Sequence, residues 1–205
     1  MKKTIKISLC CVLAMLFVFA AVSCSNAGNT SKPEQGAINV ENRTYENKSI
    51  GLGLRLKEGW TIKSTEELQT EINKLNFEDS IKNSAVVYDF FATNEKSDNI
   101  IILFDNTKKN NNRVVGEDEY IQSYMRDFSK SCSDNGITLN KIESVSLKID
   151  KTDYNACYIE SSVEGIDIYQ YVLFKQIGEF ITCVTISAHS TNDLNSIFYC
   201  LYSVQ

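Results

Sequence analysis

Acidic side chains occur as two close pairs late in the chain, and paired carboxylates can do acid–base chemistry. Asp150 stands three residues before Asp153, and Glu164 stands three residues before Asp167. Two carboxylates in one site can share the acid and base steps of a hydrolysis, or supply oxygen ligands to calcium. None has the spacing of a calcium-binding loop. A small carboxylate-dependent hydrolase therefore stays open as an alternative function, beside the simpler interpretation of solvated turns.

The chain has one histidine, which is the natural candidate for a general base. His189 follows a predicted strand and precedes Ser190 and Asp193, whose spacing is typical of a helix N-terminus. A serine or cysteine triad would have to use this one histidine, and no Gly-x-Ser-x-Gly elbow occurs. We therefore expect an exposed residue before a helix cap, and the sequence predicts no catalytic residue and no cofactor site.

Four cysteines in the body of the chain could form disulfides or bind metal. Four thiols allow three pairings, of which a bridge between Cys132 and Cys200 stays open beside free buried thiols. No CxxC pattern occurs, and the histidine has no usual ligand spacing to a cysteine, so no metal site is indicated. The set comprises Cys132, Cys157, Cys183 and Cys200.

Strand register separates two of these cysteines. If the last three strands turn at their Glu-Gly and Gly-Glu dipeptides, Cys157 lies opposite Val172. By the same count, Cys183 lies opposite Phe174. One strand then separates the two cysteines by ~9.5 Å, beyond the ~7 Å between Cα atoms that a disulfide allows. A bridge between Cys157 and Cys183 is therefore not expected.

A basic loop and a set of strand aromatics are the remaining surface candidates. Lys108, Lys109 and Arg113 collect among asparagines and could contact a wall polymer, a phosphate or an acidic partner. A solvated loop is the simpler alternative. Most strand aromatics must fill the core, but tyrosines would line a ligand pocket if the covering elements left a gap. These aromatics are Tyr88, Phe90, Phe91, Tyr169, Tyr171 and Phe174.

The first residues indicate export. Lysines precede an apolar run over 7–22 that is shorter than the ~20 residues of a membrane span, so 1–23 is predicted to be a signal peptide. The segment Ala21-Val22-Ser23-Cys24 resembles the lipobox of bacterial lipoproteins. The resemblance implies that Cys24 carries acyl chains such as palmitate, and two chains hold a protein stably at a membrane. An ordinary signal peptide and a single-span anchor remain alternatives.

Charge limits the partners. Loss of Lys2, Lys3 and Lys6 with the signal would take the formal charge from -5 to -8. Nucleic acid is therefore not an expected partner, and the folded part should be held at the anionic membrane surface by lipid rather than by charge. Residues 24–42, polar and with the only proline, are predicted to be a flexible tether before one globular domain over 43–205.

Periodicity predicts an α+β domain. A one-sided strand over 50–56 is followed by a capping box at Ser64 and Glu67 that opens a helix over 65–75. A second helix starts at Glu117 and ends before Gly136. A last helix is predicted over 192–203. The other strands are predicted over 85–93 and 99–105, which form a hairpin, over 144–149 near a sheet edge, and over 154–163, 166–176 and 179–188, which form a meander.

Strands that are apolar on both faces, together with three helices, predict an antiparallel sheet with helices packed on both faces. The element order and the turn Glu58-Gly59-Trp60 resemble the PsbP-like fold over 43–204. That resemblance implies an α/β/α sandwich and an accessory or binding role, and it carries over no site residue. The sequence thus predicts a non-catalytic binding or assembly-accessory lipoprotein on the extracytoplasmic face of a bacterial envelope. Its partner would be an unknown protein or envelope component, and the alternatives are the hydrolase and a carrier of a small apolar ligand.

Overall fold

A computed structural model of the chain describes residues 33–64, 67 and 86–205. The predicted signal peptide, Cys24 and all of the predicted helix over 65–75 except Glu67 lie outside the described residues. Within the described part of the chain, no helix is long and apolar enough to cross a membrane.

The described residues form eleven strands and three helices. The strands are β1 (Ala37–Asn39), β2 (Thr44–Asn47), β3 (Leu52–Arg55), β4 (Trp60–Ile62), β5 (Val86–Asn94), β6 (Asn99–Asn106), β7 (Thr138–Ile149), β8 (Thr152–Val163), β9 (Ile166–Ile177), β10 (Phe180–Ala188) and β11 (Leu201–Ser203). The helices are α1 (Thr107–Asn111), α2 (Glu117–Asp134) and α3 (Thr191–Phe198).

Seven strands form what we call the main sheet, in the order β4-β5-β6-β10-β9-β8-β7 with every neighbouring pair antiparallel. The central strands are apolar on both faces, as β10 shows with all nine residues buried. The predicted hairpin and meander are confirmed, and so is the edge position of the one-sided strand, β7.

One face of the main sheet is covered by α2. Ile121, Phe128 and Cys132 are buried on one side of this helix, because residues three and four apart share a helical face. They pack with strand residues such as Ile101 and Val172 into one core. The helix ends where the backbone of Gly136 has a φ of 69°, a conformation that glycine adopts without steric penalty. The second predicted helix is therefore confirmed.

The opposite face is covered by a four-stranded antiparallel sheet in the order β1-β2-β3-β11, which we call the small sheet. Leu52 and Leu54 point from it into a second core with Ile102 and Ile186 of the main sheet. Between these two leucines, on the other face of β3, lies Gly53, where an added Cβ would lie 2.4 Å from the ring of Tyr202. Glycine thus lets a β11 tyrosine lie flat over β3.

The prediction of helices on both faces of the sheet is wrong. Among the described residues a second sheet covers the other face, and the short α3 lies beside it. The helix predicted over 192–203 ends at Phe198, and Leu201 begins β11. Three-residue strands carry too little alternation to be seen in the sequence, and Leu201 also suits a helical face. The fold is therefore mostly β, with two antiparallel sheets, and is no α/β/α sandwich.

The predicted capping box is present. The backbone N–H of Glu67 donates to the Ser64 hydroxyl at 3.1 Å, and the Ser64 N–H donates to the Glu67 carboxylate at 2.8 Å. This reciprocal pair satisfies two backbone donors that the first turn of a helix leaves free.

Candidate functional site

The two acidic pairs lie at opposite ends of β8. Asp150 and Asp153 flank the turn before this twelve-residue strand, and Glu164 and Asp167 flank the turn after it. At ~3.3 Å per residue the pairs are about 40 Å apart. Asp150 also accepts a hydrogen bond from the backbone N–H of Ser203 at 2.7 Å. These four carboxylates cannot meet in one acid–base site.

Both the backbone and the ring of His189 have polar partners within the domain. Its N–H donates to the Asp98 carboxylate at 3.2 Å, and its ring Nδ1 lies 3.2 Å from the carbonyl oxygen of Asp167. The Ser190 hydroxyl accepts from the N–H of Asp193 at 3.1 Å, as the predicted helix cap requires. Hydrogen bonds from Ser190 and Lys96 lower the pKa of Asp193. The residues around the histidine therefore cap α3.

All four described cysteines are free. The predicted register is confirmed, since Cys157 lies opposite Val172 and Cys183 opposite Phe174. Burial raises the pKa of the Cys157 thiol to about 12 and that of the Cys183 thiol further. Thiols of this kind are poor nucleophiles at neutral pH, because the thiolate is the reactive form. No group of three or more metal-ligating side chains occurs in the described part of the chain.

The predicted basic loop forms α1 and its exit, and two of its three cations are already paired. Lys108 lies 3.6 Å from the carboxylate of Glu179, and Arg113 donates to both carboxylate oxygens of Glu119. The hydrogen bond with Arg113 lowers the pKa of Glu119. Most of the positive charge of this loop is therefore neutralised within the domain, although Lys109 remains exposed.

A small cavity lies between the two sheets. Its volume is about 10 Å³, and its lining, to which Tyr154, Lys175 and Thr182 also belong, is almost entirely apolar. The hydroxyls of Tyr154 and Thr182 have no hydrogen-bond partner there. A cavity of this size holds at most one water molecule. It cannot hold a small apolar ligand.

The strongest candidate site is a row of rings on the small-sheet side of the main sheet. Tyr158 of β8 lies opposite Tyr171 of β9, with ring centroids 5.5 Å apart. Phe198 of α3 packs edge-on against Tyr171 at 5.7 Å, and Tyr199 follows at 6.0 Å from Phe198. Tyr169 lies on the same face of β9, two residues before Tyr171. We call these five side chains the tyrosine surface.

The tyrosine surface is exposed because the second core does not extend over it. Tyr154 lies on the same face of β8 and is 5% exposed, whereas Tyr158, four residues further along the strand, is half-buried. Tyr169, Tyr171 and Phe198 are also half-buried, at the edge of the second core. Tyr199 is 82% exposed. The exposed fraction of the rings therefore increases from the second core outward to Tyr199.

Charged side chains border the tyrosine surface. Glu143 lies opposite Tyr158 in the strand register, and Glu160 lies opposite Tyr169. Burial and a hydrogen bond with Glu160 raise the pKa of the Tyr158 hydroxyl. Lys141 forms an ion pair with Glu143 at 2.8 Å, and its Nζ lies 5.4 Å from the centroid of the Tyr158 ring. The site can therefore hold cations over a ring.

Sequence reasoning found part of this site. Tyr169 and Tyr171 were among the six strand aromatics considered for a gap, whereas Tyr158, Phe198 and Tyr199 were missed. The strand register could have identified Tyr158, because the register that places Cys157 opposite Val172 also places Tyr158 opposite Tyr171. The remaining four aromatics, Tyr88, Phe90, Phe91 and Phe174, are buried in the two cores.

Comparisons with known proteins give similar structures only. No family model matches the chain, and no curated protein matches it. The solution structure of cyanobacterial PsbP (CyanoP) from Synechocystis sp. PCC 6803 is similar with a TM-score of 0.48 and 9% identity, over 87% of this chain and 98% of that one. A crystal structure from Bacteroides thetaiotaomicron VPI-5482 has a TM-score of 0.38 and 11% identity, over 77% of this chain and 46% of that one.

One structural neighbour, at low sequence identity, is thus a PsbP domain. Neither neighbour bears on what this protein binds.

Proposed function

We propose that the protein is a membrane-tethered, extracytoplasmic binding domain that acts without catalysis, and that the tyrosine surface is its contact site. One observation carries the proposal: Tyr199 is 82% exposed at the end of a continuous row of half-buried rings. Tyrosine is enriched in protein interfaces, because its ring buries a large area while its hydroxyl stays compatible with water. This apolar area stays open, whereas strand aromatics such as Phe90, Phe91 and Phe174 are buried in the two cores.

The alternatives have less support. The predicted carboxylates form two separate pairs about 40 Å apart along β8. In the first pair, Asp150 accepts the Ser203 N–H and Asp153 forms an ion pair with Lys148 at 3.3 Å. A carrier would need an enclosed apolar space, and the cavity between the two sheets, at about 10 Å³, is too small to serve as one. The proposed role needs neither a carboxylate site nor a cavity, because contact through an exposed face requires only rings and a polar border.

The predicted lipid anchor suits a contact domain. Eight residues lie between Cys24 and Pro33, the first described residue, and the nine Cα–Cα steps between them reach at most about 30 Å. A lipidated Cys24 would keep the domain near the bilayer and raise the local concentration of any membrane-bound partner.

A photo-crosslinking residue placed at position 199 of the full chain tests the contact site. We expect a discrete adduct in native membranes from position 199, and none from position 118, because Asp118 is exposed on α2 across the main sheet. The adduct should weaken when Tyr158 and Tyr171 are both changed to Ala. The same adducts from both positions, or none from position 199, would contradict the proposed contact site.

A further inference from the structure

We infer that the tyrosine surface binds an arginine-rich segment of a partner protein, whose guanidinium groups stack on the rings and pair with the bordering carboxylates. This inference rests on the proposed contact site and names the chemistry of its partner. Three observations carry it: the charge around the rings, the cations that this chain already places over its own tyrosines, and the position of carboxylates beside ring faces.

Charge around the tyrosine surface favours a cationic partner. Glu143, Glu160 and Asp167 lie on the same face of β7, β8 and β9 as the rings, by their register and alternation. The cations on this face of the three strands are Lys141, already paired with Glu143 at 2.8 Å, and Lys175, which lies over the buried ring of Tyr154 away from the tyrosine surface. The whole chain has a formal charge of -5. A basic segment therefore meets complementary charge, both at the rings and over longer range.

Cationic side chains of this protein already lie over tyrosine rings, and they show the geometry that a partner's cation would adopt. Lys141 Nζ lies 5.4 Å from the centroid of Tyr158, and the Arg55 guanidinium lies 5.8 Å from that of Tyr202. Both distances are within the ≈6 Å at which a ring face attracts a cation. Tyr199 offers the same kind of ring with 82% of its surface exposed. The surface is thus built to accept further cations.

Arginine suits these positions better than lysine. A guanidinium is planar and weakly hydrated, so it can stack on a ring and still donate two parallel hydrogen bonds to a carboxylate. Glu160 lies directly opposite Tyr169 in the register and beside Tyr158 on the same strand face. One guanidinium can therefore reach a ring and a carboxylate together. An ammonium group can offer only a point charge, and an anionic membrane surface would be repelled by the same carboxylates.

Peptide binding to the full chain in detergent tests this inference. The probes are fluorescent nona-arginine, nona-lysine and a Gly-Ser peptide of equal length, with binding followed by anisotropy. We expect nona-arginine to bind at least about threefold more tightly than nona-lysine, the size of one added ring contact, and the neutral peptide not to bind. Equal affinity for the two basic peptides would mean general charge attraction and would overturn the inference.

Variants with matched controls locate the binding. Tyr199→Ala should weaken nona-arginine binding about fivefold or more, with an unchanged melting temperature because the side chain is exposed. Glu160→Gln with Asp167→Asn should weaken it more than Asp118→Asn with Asp134→Asn, which removes the same charge from α2. Equal losses in the two double variants would contradict a site at the rings.

Lys141 provides a test in the opposite direction. Because its ammonium group occupies the face of Tyr158, Lys141→Ala should free that ring and raise the affinity for nona-arginine about twofold to fivefold. Lys130→Ala removes the same charge from an exposed position on α2 and should have a smaller effect. A fall in affinity in Lys141→Ala would contradict the inference.

The inference and the proposed contact site can fail separately. If nona-arginine suppresses the adduct formed from position 199, both stand. If the adduct forms but resists nona-arginine, the contact site stands and the arginine-rich partner is overturned. Binding of a neutral oligosaccharide, with no binding of nona-arginine, would likewise replace the proposed partner class.

Discussion

Single residues that could do chemistry are mostly placed in the cores of this protein. Asp105 is an example: it is 1% exposed, and its carboxylate accepts hydrogen bonds from the Tyr120 hydroxyl and the Asn110 amide. Cys183 is buried beside Tyr120, with its sulfur 3.7 Å from that hydroxyl. These groups tie α1 and α2 to the main sheet. At the residue scale, these buried reactive side chains are structural, and the exposed Tyr199 ring is the candidate for contact with a partner.

Asp105 predicts a pH effect on stability. Burial raises its pKa above the ordinary value of 3.8, against the opposing effect of its two hydrogen bonds. Between the unfolded and the folded pKa the folded state binds more protons, so this residue lowers the free energy of unfolding as pH rises through that interval. Relative to Asp105→Asn, which cannot titrate, the natural chain should lose stability from about pH 4 upward. Urea unfolding of both proteins at several pH values measures this difference in the free energy of unfolding.

The control for that measurement is Asp118→Asn, since Asp118 is exposed on the surface of α2. Its unfolding free energy should follow that of the natural chain at every pH. A difference between Asp105→Asn and the natural chain that stayed constant with pH, or grew in the opposite direction, would contradict a raised pKa at Asp105.

Among the elements, the first strands are held to the main sheet by one buried carboxylate. A bulge in β5 lies between Tyr88 and Phe90, where the register with β6 shifts around Asp89. Asp89 is 5% exposed and accepts hydrogen bonds from the Gly36 N–H, the Tyr45 hydroxyl and the Asn47 amide. The segment after the predicted anchor is therefore fastened across the two sheets.

Asp89→Ala should loosen this segment. Three donors would lose their acceptor, two of them on buried side chains, and the free energy of unfolding should fall by about 3 kcal/mol. Hydrogen exchange at the Gly36 amide should speed up more than exchange in β10, which does not contact Asp89. Asp118→Ala is the matched control on an exposed acid. Unchanged exchange at Gly36 would show that Asp89 does not fasten the strand.

For the whole molecule, the two faces of the main sheet differ. On one face α2 packs over β7, β8 and β9, whereas on the other face the small sheet covers one end of the meander and leaves the tyrosine surface at the other. The cause is size: the small sheet has strands of three and four residues, and the meander has strands of nine to twelve. Longer strands necessarily extend beyond a shorter cover.

Cys24 predicts how the whole molecule is held in the cell. If Cys24 carries two or more acyl chains, the natural protein should sediment with membranes and incorporate labelled palmitate. Cys24→Ser should release the protein from the membrane fraction and abolish the label. Cys200→Ser changes a thiol within the domain and should do neither. Membrane association of Cys24→Ser equal to that of the natural chain would contradict the lipid anchor.

Several elements were predictable because their signals are local. The helix at Glu117, the hairpin, the meander and its cysteine register all follow from apolar spacing and turn dipeptides, and the structure has them where expected. The small sheet was not predictable in the same way. β1, β2 and β11 are short, and β1 lies in the segment expected to be a tether, so their strand character depends on partners distant in the chain.

By itself, the sequence determined the hairpin and meander strands, the long helix, the helix caps, the acidic balance and the prediction of an anchor at Cys24, because each depends on neighbouring residues or on composition. Only the tertiary structure decided which carboxylates meet, which lysines are neutralised and which rings remain exposed. Those outcomes depend on how far one layer extends over another, a property of whole elements packed together. The tyrosine surface exists because the small sheet is too short to cover it.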